Sequence, residues 1–339
     1  MFGFNLTEYD KKVYKEELDS FLPKNIIDSH VHVYRMEDRY PPKKPGVQKW
    51  TGKVAEENPI EDLVQTYKDL FPNNNVVPVI FGMPSCKLDS VNNYISNVSK
   101  EYNYPALFCT HADMTKDFLE EQVIKGGFQG LKPYCNNQTV IDKDVAGIYD
   151  FLPKEHLEVA NKYGWKVLLH ISKPDRLKNP DNVKTLMEIE EKYPNVKLIV
   201  AHIGRAYAKE DIGNAFDTLK HSKNMIFDFS ANTLGYATQK CIEAVGTKRV
   251  IYGTDLPIAK MRMYRVVEDG YYINVVPRGL YGDVANIGHM RETDETDVTN
   301  FTYEIIRGFI DCSKTLALTK QEIEDVMCNN AKNLYGVKF

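Results

Sequence analysis

The feature that most constrains this chain is a short apolar strand that ends in two histidines separated by one residue. Residues 25–32 read Asn-Ile-Ile-Asp-Ser-His-Val-His. Side chains alternate between the two faces of a β-strand, so His30 and His32 point to one side and Val31 points to the other. Two imidazoles in that arrangement can bind one metal ion, but a lone His-x-His is more often a hydrogen-bonded pair at a surface. The remaining sequence has to decide between these two interpretations.

Strand-like and helix-like segments alternate along the rest of the chain. Seven further runs rich in β-branched or other apolar residues follow the first, at residues 76–81, 106–109, 130–133, 167–169, 198–201, 225–229 and 250–252. Strands that alternate with amphipathic helices form parallel sheets with crossover helices. Eight βα units predict an α/β fold of the (β/α)8 TIM barrel type. A doubly wound open sheet is the alternative, but no Gly-x-Gly-x-x-Gly follows an early strand.

Two long segments interrupt this rhythm, after the first and the eighth strands. Residues 34–59 and 258–299 lack a clear period, and we expect long loops there, the second forming a lid or rim. A helix is predicted at residues 7–22 and closing helices at 301–316 and 321–334. The sequence therefore predicts a single barrel domain over 1–339 with its core at 26–336. The second long loop contains Arg262, Arg265, Arg278 and Arg291.

Composition excludes several classes of protein. The 339 residues carry a net charge of -4 with both signs interspersed, so no basic surface for nucleic acid is expected. No apolar run approaches the roughly 20 residues that span a bilayer, and the N-terminus lacks a signal-peptide core. The six cysteines include no Cys-x-x-Cys pair, which favours free thiols in a reducing compartment. We expect a cytoplasmic protein with a small-molecule substrate, without nucleic-acid or membrane partners.

The predicted strands share one property at their carboxyl ends, where a barrel builds its active site. Polar residues with metal-binding or catalytic chemistry stand at or just after six of them: His30, His32, His111, Lys132, His170, His202 and Asp255. Five of the eight histidines belong to this set. Three imidazoles and one carboxylate suit Zn²⁺ or a similar divalent ion with one position open for water. Such an ion makes water reactive at neutral pH, which indicates hydrolase or lyase chemistry.

The ordered motifs resemble those of one enzyme family. They are Asp28-Ser29-His30-Val31-His32, Gly130-Leu131-Lys132-Pro133, Leu168-Leu169-His170, Val200-Ala201-His202-Ile203-Gly204, Tyr252-Gly253-Thr254-Asp255-Leu256-Pro257 and the closing Cys328-Asn329-Asn330-Ala331-Lys332-Asn333-Leu334-Tyr335. Together they resemble the amidohydrolase superfamily, and within it the amidohydrolase-2 branch that includes aminocarboxymuconate-semialdehyde decarboxylase-like enzymes. The resemblance spans residues 26–336 in the correct order.

This resemblance implies roles for individual residues. His30, His32, His170 and Asp255 match the metal ligands of mononuclear members, with one Zn²⁺ expected and Mn²⁺ as an alternative. His202 matches a histidine that acts as acid or base or polarises the substrate, and Asp255 would also accept a proton from the metal-activated water.

The resemblance leaves the role of Lys132 open. In binuclear relatives a carbamylated lysine at this place bridges two metals. In amidohydrolase-2 members the lysine is often unmodified and would offer a cation to a substrate carboxylate or oxyanion. We expect the mononuclear arrangement, with the binuclear centre as the alternative.

Three residues are candidates for substrate binding, namely Arg205, His111 and Tyr134. Arginine and lysine near the rim favour a carboxylated substrate. The resulting hypothesis is a metal-dependent hydrolase of an ester, lactone or amide. The alternatives are a metal-dependent non-oxidative decarboxylase of an aromatic or unsaturated acid and, from another class, a non-catalytic binding barrel. A homodimer is common among similar proteins.

Overall fold

A computed structural model describes residues 5–41, 50–135, 142, 144–284 and 286–339 of the chain. Eight parallel strands carry the fold, and each lies within two residues of its predicted position. They are β1 (Asn25–His32), β2 (Asn75–Phe81), β3 (Phe108–Thr110), β4 (Gly130–Pro133), β5 (Lys166–Leu169), β6 (Lys197–Val200), β7 (Ile226–Asp228) and β8 (Val250–Ile251).

The strands form a ring. β1 pairs with β2, and β3 to β8 form a six-stranded parallel sheet in sequence order. Parallel bridges join the two sheets at both seams, one between Ile80 and Ala106 and one between Val31 and Leu256. The backbone N–H of His32 donates to the carbonyl of Leu256 at 2.8 Å. The (β/α)8 barrel is confirmed, because an open sheet would leave these strand edges unpaired.

Alternating strand residues divide the core into two layers. Ile27, Leu107, Leu168, Ile199 and Ile251 belong to one buried cluster, whereas their neighbours along the strands belong to a larger one. Strands buried on both faces are typical of barrels, since one face packs inside the ring and the other against the helices. This explains why the strands read as continuous apolar runs in the sequence.

Helices cover the ring where the sequence predicts them. They lie at Ile60–Leu70, Leu88–Tyr102, Lys116–Gly126, Lys154–Tyr163, Pro180–Lys192, Ala215–Leu219, Gly235–Val245 and Phe301–Thr315. The N-terminal helix is Glu8–Val13, which a π turn extends to Leu18, and the chain closes with Lys320–Glu324, a π turn and Asn330–Tyr335. Local signals fix these bounds. At the start of the helix Pro180–Lys192, for example, the side chain of Asn179 accepts from the backbone N–H groups of Asp181 and Asn182, and Pro180 occupies the first helical position.

The segment after β8 differs from its predicted irregular structure. It holds a three-stranded sheet, here called the lid sheet, of β9 (Tyr264–Glu268), β10 (Tyr271–Pro277) and β11 (Met290–Thr293). Asp269 and Gly270 both have positive φ and form the tight hairpin between β9 and β10. Asp-Gly between alternating apolar residues favours such a turn, and this signal was overlooked.

The loop after β1 also contains regular structure. Its described part includes a 3-10 turn at Met36–Asp38 and a short helix at Trp50–Val54, and residues 42–49 of the predicted loop lie outside the described residues. None of the six cysteines forms a disulfide, as predicted. No helix in the described ranges is long and apolar enough to cross a bilayer.

A buried lysine connects the segments that follow β1 and β8. Lys260 is 6% exposed, and its Nζ donates to Oδ1 of Asn58 at 2.9 Å. Nδ2 of Asn58 donates in turn to the carbonyl of His32 at 2.8 Å. Burial lowers the pKa of Lys260 to about 8, although Asp62 acts in the opposite direction.

This pKa predicts a pH-dependent contribution to stability. In the unfolded chain Lys260 keeps its proton up to its ordinary pKa of 10.5, so the unfolded state binds more protons between pH 8 and 10.5. The free energy of unfolding therefore gains about 3 kcal/mol from this residue as the pH rises through that window. In Lys260→Met this gain should disappear from urea unfolding curves. Lys220→Met, at an exposed lysine, should keep the wild-type slope. If the free energy of unfolding changed with pH to the same extent in all three proteins, the lowered pKa of the buried Lys260 would be contradicted.

Candidate metal centre

His30 and His32 converge on one carboxylate oxygen. Their Nε2 atoms lie 3.5 Å and 3.0 Å from Oδ1 of Asp255. The Nδ1 atoms lie 3.0 Å from Oδ2 of Asp228 and 3.0 Å from the carbonyl of Gly82, respectively. Both partners are acceptors, so each Nδ1 carries a proton and each neutral ring keeps its Nε2 lone pair for a metal. Burial, reinforced by Lys132 and His202, lowers the pKa of His30 well below its ordinary value.

Asp255 follows β8 in a left-handed conformation with φ 71°. Its backbone N–H donates to the carbonyl of His30 at 2.9 Å, which fixes it beside β1. Burial raises the pKa of Asp255, but the neighbouring imidazoles of His32, His202 and His30 outweigh it, and the pKa is below its ordinary value. The side chain is therefore an ionised carboxylate at neutral pH.

A buried carboxylate below the site joins β1 to the turn after β8. Oδ2 of Asp28 accepts from the hydroxyls of Thr254 at 2.6 Å and Tyr67 at 2.8 Å. Oδ1 of Asp28 accepts from the backbone N–H of Thr254 at 2.8 Å. Burial raises the pKa of Asp28 to about 7 against these hydrogen bonds. Asp28 thus holds the residue next to Asp255 against the strand that carries His30.

His202 begins a turn of unusual backbone geometry. The four residues from His202 to Arg205 all have positive φ, between 49° and 62°. A left-handed turn is costly for L-residues and persists only where surrounding contacts determine it. Such conformations are common at functional sites. Here Oδ1 of Asp228 accepts from the backbone N–H of His202 at 2.9 Å, and the carbonyl of Ser230 lies 2.9 Å from Nδ1 of His202.

Asp228 and Ser230 are site residues that the sequence analysis missed. Asp228 is fully buried at the end of β7, and its carboxylate accepts from His30, from the backbone of His202 and from Ser230. Ser230 also contacts the ring nitrogens of His30 and His202 at 3.1 and 2.9 Å. The available signal was their position, because Phe227-Asp228-Phe229-Ser230 ends one of the two predicted strands for which no site residue was named.

Two groups of side chains place three potential metal ligands within 4.8 Å of one another. The first contains His30, His32 and Asp255, and the second contains His30, His202 and Asp228. The hydrogen bonds of Asp228 account for the second group without an ion. The first group, in which two Nε2 atoms converge on one carboxylate oxygen, fits a divalent metal.

His170 lies beside these groups but belongs to neither. Its ring centroid is 5.2 Å from that of His202. Burial lowers the pKa of His170 well below its ordinary value, and the charges of His202 and Arg205 act in the same direction. A neutral imidazole is the form that a metal requires. Its role as the remaining ligand stays a prediction.

Lys132 is 1% exposed and adjoins the first group. Its Nζ lies 3.4 Å from Nε2 of His30 and 4.9 Å from the ring centroid of Phe81. Burial lowers the pKa of Lys132 to about 8, although Asp228 and Asp255 act in the opposite direction. At neutral pH the ammonium form therefore predominates, and a minor fraction of neutral amine is accessible.

The three candidates for substrate binding occupy different places. The Tyr134 hydroxyl donates to the carbonyl of Gly82 at 2.8 Å and lies 3.1 Å from Nδ1 of His32, so it orients that ring. Nη1 of Arg205 donates to the carbonyl of Lys173 at 3.3 Å. His111 contacts Asp113 and Met114 in its own loop. Substrate binding by any of the three remains a prediction.

The sequence matches one protein family over nearly its whole length. The family model described as amidohydrolase matches residues 27–337. The chain belongs to the amidohydrolase family. Members of this family are metal-dependent enzymes that act on small molecules, and the resemblance noted in the motifs is confirmed. A search of curated proteins finds no match to this amidohydrolase.

Solved structures share the fold of the amidohydrolase at low sequence identity. A probable 2-pyrone-4,6-dicarboxylic acid hydrolase from Acinetobacter baumannii, determined with citric acid bound, is 15% identical with a TM-score of 0.57, over 92% of this chain and all of its own. A 2,6-dihydroxybenzoate decarboxylase from Rhizobium is 11% identical, with a TM-score of 0.56, over 93% of this chain and 99% of its own. A protein from Agrobacterium tumefaciens is 13% identical with a TM-score of 0.60, over 94% of this chain and 98% of its own. At these identities the likeness shows the fold.

Proposed function

We propose that this amidohydrolase is a metal-dependent hydrolase that uses a metal-activated water on an ester, lactone or amide. The proposed ligands of one divalent ion, Zn²⁺ before Mn²⁺, are His30, His32, His170 and Asp255. The observation that carries the proposal is the convergence of two Nε2 atoms on Oδ1 of Asp255, with both Nδ1 protons directed to other acceptors. A divalent ion bound there would supply Lewis acidity to a carbonyl and acidify water.

Asp255 and His202 divide the proton transfers in this proposal. The ionised Asp255 carboxylate is the acceptor for the proton that the attacking water loses. Nδ1–H of His202 donates to the carbonyl of Ser230, which leaves Nε2 as the nitrogen that can accept or return a proton at the leaving group. Burial lowers the pKa of His202, which favours the neutral ring, while Asp255 and Asp228 act in the opposite direction and stabilise the charged form when it holds that proton.

Lys132 is proposed to act as an unmodified cation that binds a substrate carboxylate or stabilises an oxyanion. Its Nζ lies 3.4 Å from Nε2 of His30, so a negative oxygen near that histidine would be within its reach. The binuclear alternative requires reaction of the neutral amine with CO₂, and a pKa of about 8 leaves some neutral amine. Two metals per chain and a carbamate detected by mass spectrometry would favour that alternative.

The substrate is proposed to be a small carboxylic acid derivative. Guanidinium groups are well suited to bind carboxylates, and Arg205 is the last residue of the turn that begins at His202. One of the structural neighbours is described as a dicarboxylic acid hydrolase and contains citric acid, a polycarboxylate. The neighbours also include decarboxylases, so an experiment has to distinguish decarboxylation from hydrolysis.

Metal removal should abolish turnover reversibly. We expect one equivalent of metal per chain, complete loss of hydrolysis of a responsive lactone or amide after chelation, and recovery on adding Zn²⁺ or Mn²⁺. The assay panel consists of lactones, amides and hydroxybenzoates, each followed for both hydrolysis and CO₂ release. CO₂ without hydrolysis would establish the decarboxylase instead. Absence of stoichiometric metal, with ligand binding unaffected by Asp255→Asn, would favour a non-catalytic barrel.

A further inference from the structure

Three arginines lie near Tyr207 and are here called the arginine cluster. Arg176 lies in the loop after β5, Arg205 lies in the loop after β6, and Arg265 lies on β9 of the lid sheet. Nη1 of Arg176 donates to Asp211 at 2.6 Å. Among the residues that the structure describes, Arg205 and Arg265 form no ion pair. The cluster therefore contains more positive charge than its carboxylate neutralises.

Two tyrosines connect the arginine cluster to the catalytic residues. Cζ of Arg265 lies 4.6 and 4.8 Å from the ring centroids of Tyr207 and Tyr272, and Cζ of Arg176 lies 5.6 and 4.8 Å from the same rings. The ring of Tyr207 is 6.4 Å from that of His202. Nη1 of Arg265 donates to the carbonyl of Ala231 at 2.9 Å, one residue beyond Ser230. The lid sheet thus places a cation next to the loop that holds His202.

The donors of these arginines are only partly used. Nε and Nη1 of Arg265 donate to Asn274 and Ala231, which leaves Nη2 without an acceptor among the described residues. Nε of Arg176 is buried and has no hydrogen-bond partner there. A buried, unsatisfied charged donor is costly, so an anion supplied by a ligand would relieve that cost. Arg265 remains charged at neutral pH although burial lowers its pKa, because an arginine cannot lose its proton in that range.

We propose that Arg265 is a specificity-determining residue that, together with Arg176, binds a second carboxylate of the substrate, remote from the reacting group. Nη2 of Arg265 and Nε of Arg176 each offer a donor that no described residue uses, so a carboxylate held by both guanidinium groups would receive charge-assisted hydrogen bonds from two residues. The substrate class is therefore a diacid. The inference depends on the proposed function for placing the reacting group beside His30, His32 and Asp255.

Binding of two matched acids to the metal-loaded protein tests this assignment. The probes are benzoate and isophthalate, which share a ring and one carboxylate and differ in the second, and calorimetry gives both dissociation constants. Wild type should prefer isophthalate by roughly 10- to 100-fold, the range expected for charge-assisted hydrogen bonds in a buried site. Arg265→Gln should lose this preference while its affinity for benzoate stays within about twofold.

Arg291→Gln is the matched control, because Arg291 lies on β11 of the same lid sheet and forms an exposed ion pair with Glu268. It should retain the wild-type preference. Equal weakening of both probes in Arg265→Gln would assign Arg265 to lid packing and overturn the proposal. If that variant does not fold, wild type alone decides, since binding without a preference for isophthalate, or no binding of either probe, also overturns it. A preserved preference in a protein that hydrolyses nothing would refute only the proposed function.

Discussion

Replacement of Asp255 by Asn should reduce kcat/KM on the best substrate by roughly 10³-fold or more. The substitution preserves shape but removes the negative charge on which the Nε2 atoms of His30 and His32 converge. It also removes the proposed proton acceptor. Both losses affect the same step, so the effect should be larger than that of removing a residue that only orients a ligand.

Metal content separates these two losses. Loss of a metal contact should weaken metal binding, whereas loss of the proton acceptor should persist when the metal site is saturated. We therefore expect Asp255→Asn to remain inactive at a metal concentration that restores full occupancy by elemental analysis. Asp217→Asn, at an exposed carboxylate, should keep wild-type activity. More than a tenth of wild-type activity in the fully loaded Asp255→Asn protein would refute this role.

The sequence was most informative where one physical preference acts alone. The strands of the barrel are buried on both faces, so their apolar runs are distinct, and β1, β4 and β8 begin where predicted. Strand order then follows from the parallel topology, and polar residues at the carboxyl ends must meet on one rim. For this reason the sequence alone was enough to place His30, His32 and Asp255 together.

The remaining parts of the site depend on contacts that no local pattern encodes. The role of Asp228 comes from hydrogen bonds with His30 and the backbone of His202, which lie far from it in sequence. Arg265 reaches the loop after β7, where it donates to the carbonyl of Ala231, and β9 has no clear apolar pattern in the sequence because none of its residues is fully buried. The Asp269-Gly270 turn was the one local signal for that sheet.

Strained backbone at the site needs a rigid support, and Asp28 supplies it. Asp255 and the turn from His202 to Arg205 both adopt left-handed conformations. Such conformations cost of order 1–3 kcal/mol per residue and persist only when neighbouring contacts determine them. Thr254, next to Asp255, is bound to the buried Asp28 by both its backbone and its hydroxyl. Asp28 is therefore a positioning residue for the metal centre.

Asp28→Ala should destabilise the protein by about 3–5 kcal/mol, because it leaves three buried donors on Thr254 and Tyr67 without their acceptor. Urea unfolding of the metal-free proteins measures this. In the same variant metal affinity should fall by roughly 10- to 100-fold, as when an outer partner of a ligand is removed. Asp28→Asn should be milder in both respects, since the two hydroxyls can rotate to donate to its oxygen or accept from its amide.

Tyr67→Phe distinguishes the hydrogen-bond network from simple loss of packing. Removal of the tyrosine hydroxyl in Asp28→Ala should cost less than in wild type, because the hydroxyl has already lost its partner. Asp311→Ala, at an exposed carboxylate, serves as the control and should leave stability and metal affinity unchanged. Additive effects of the two substitutions would show that Tyr67 and Asp28 are not energetically coupled. A stable Asp28→Ala protein with wild-type metal affinity would show that Asp255 holds its strained conformation without Asp28.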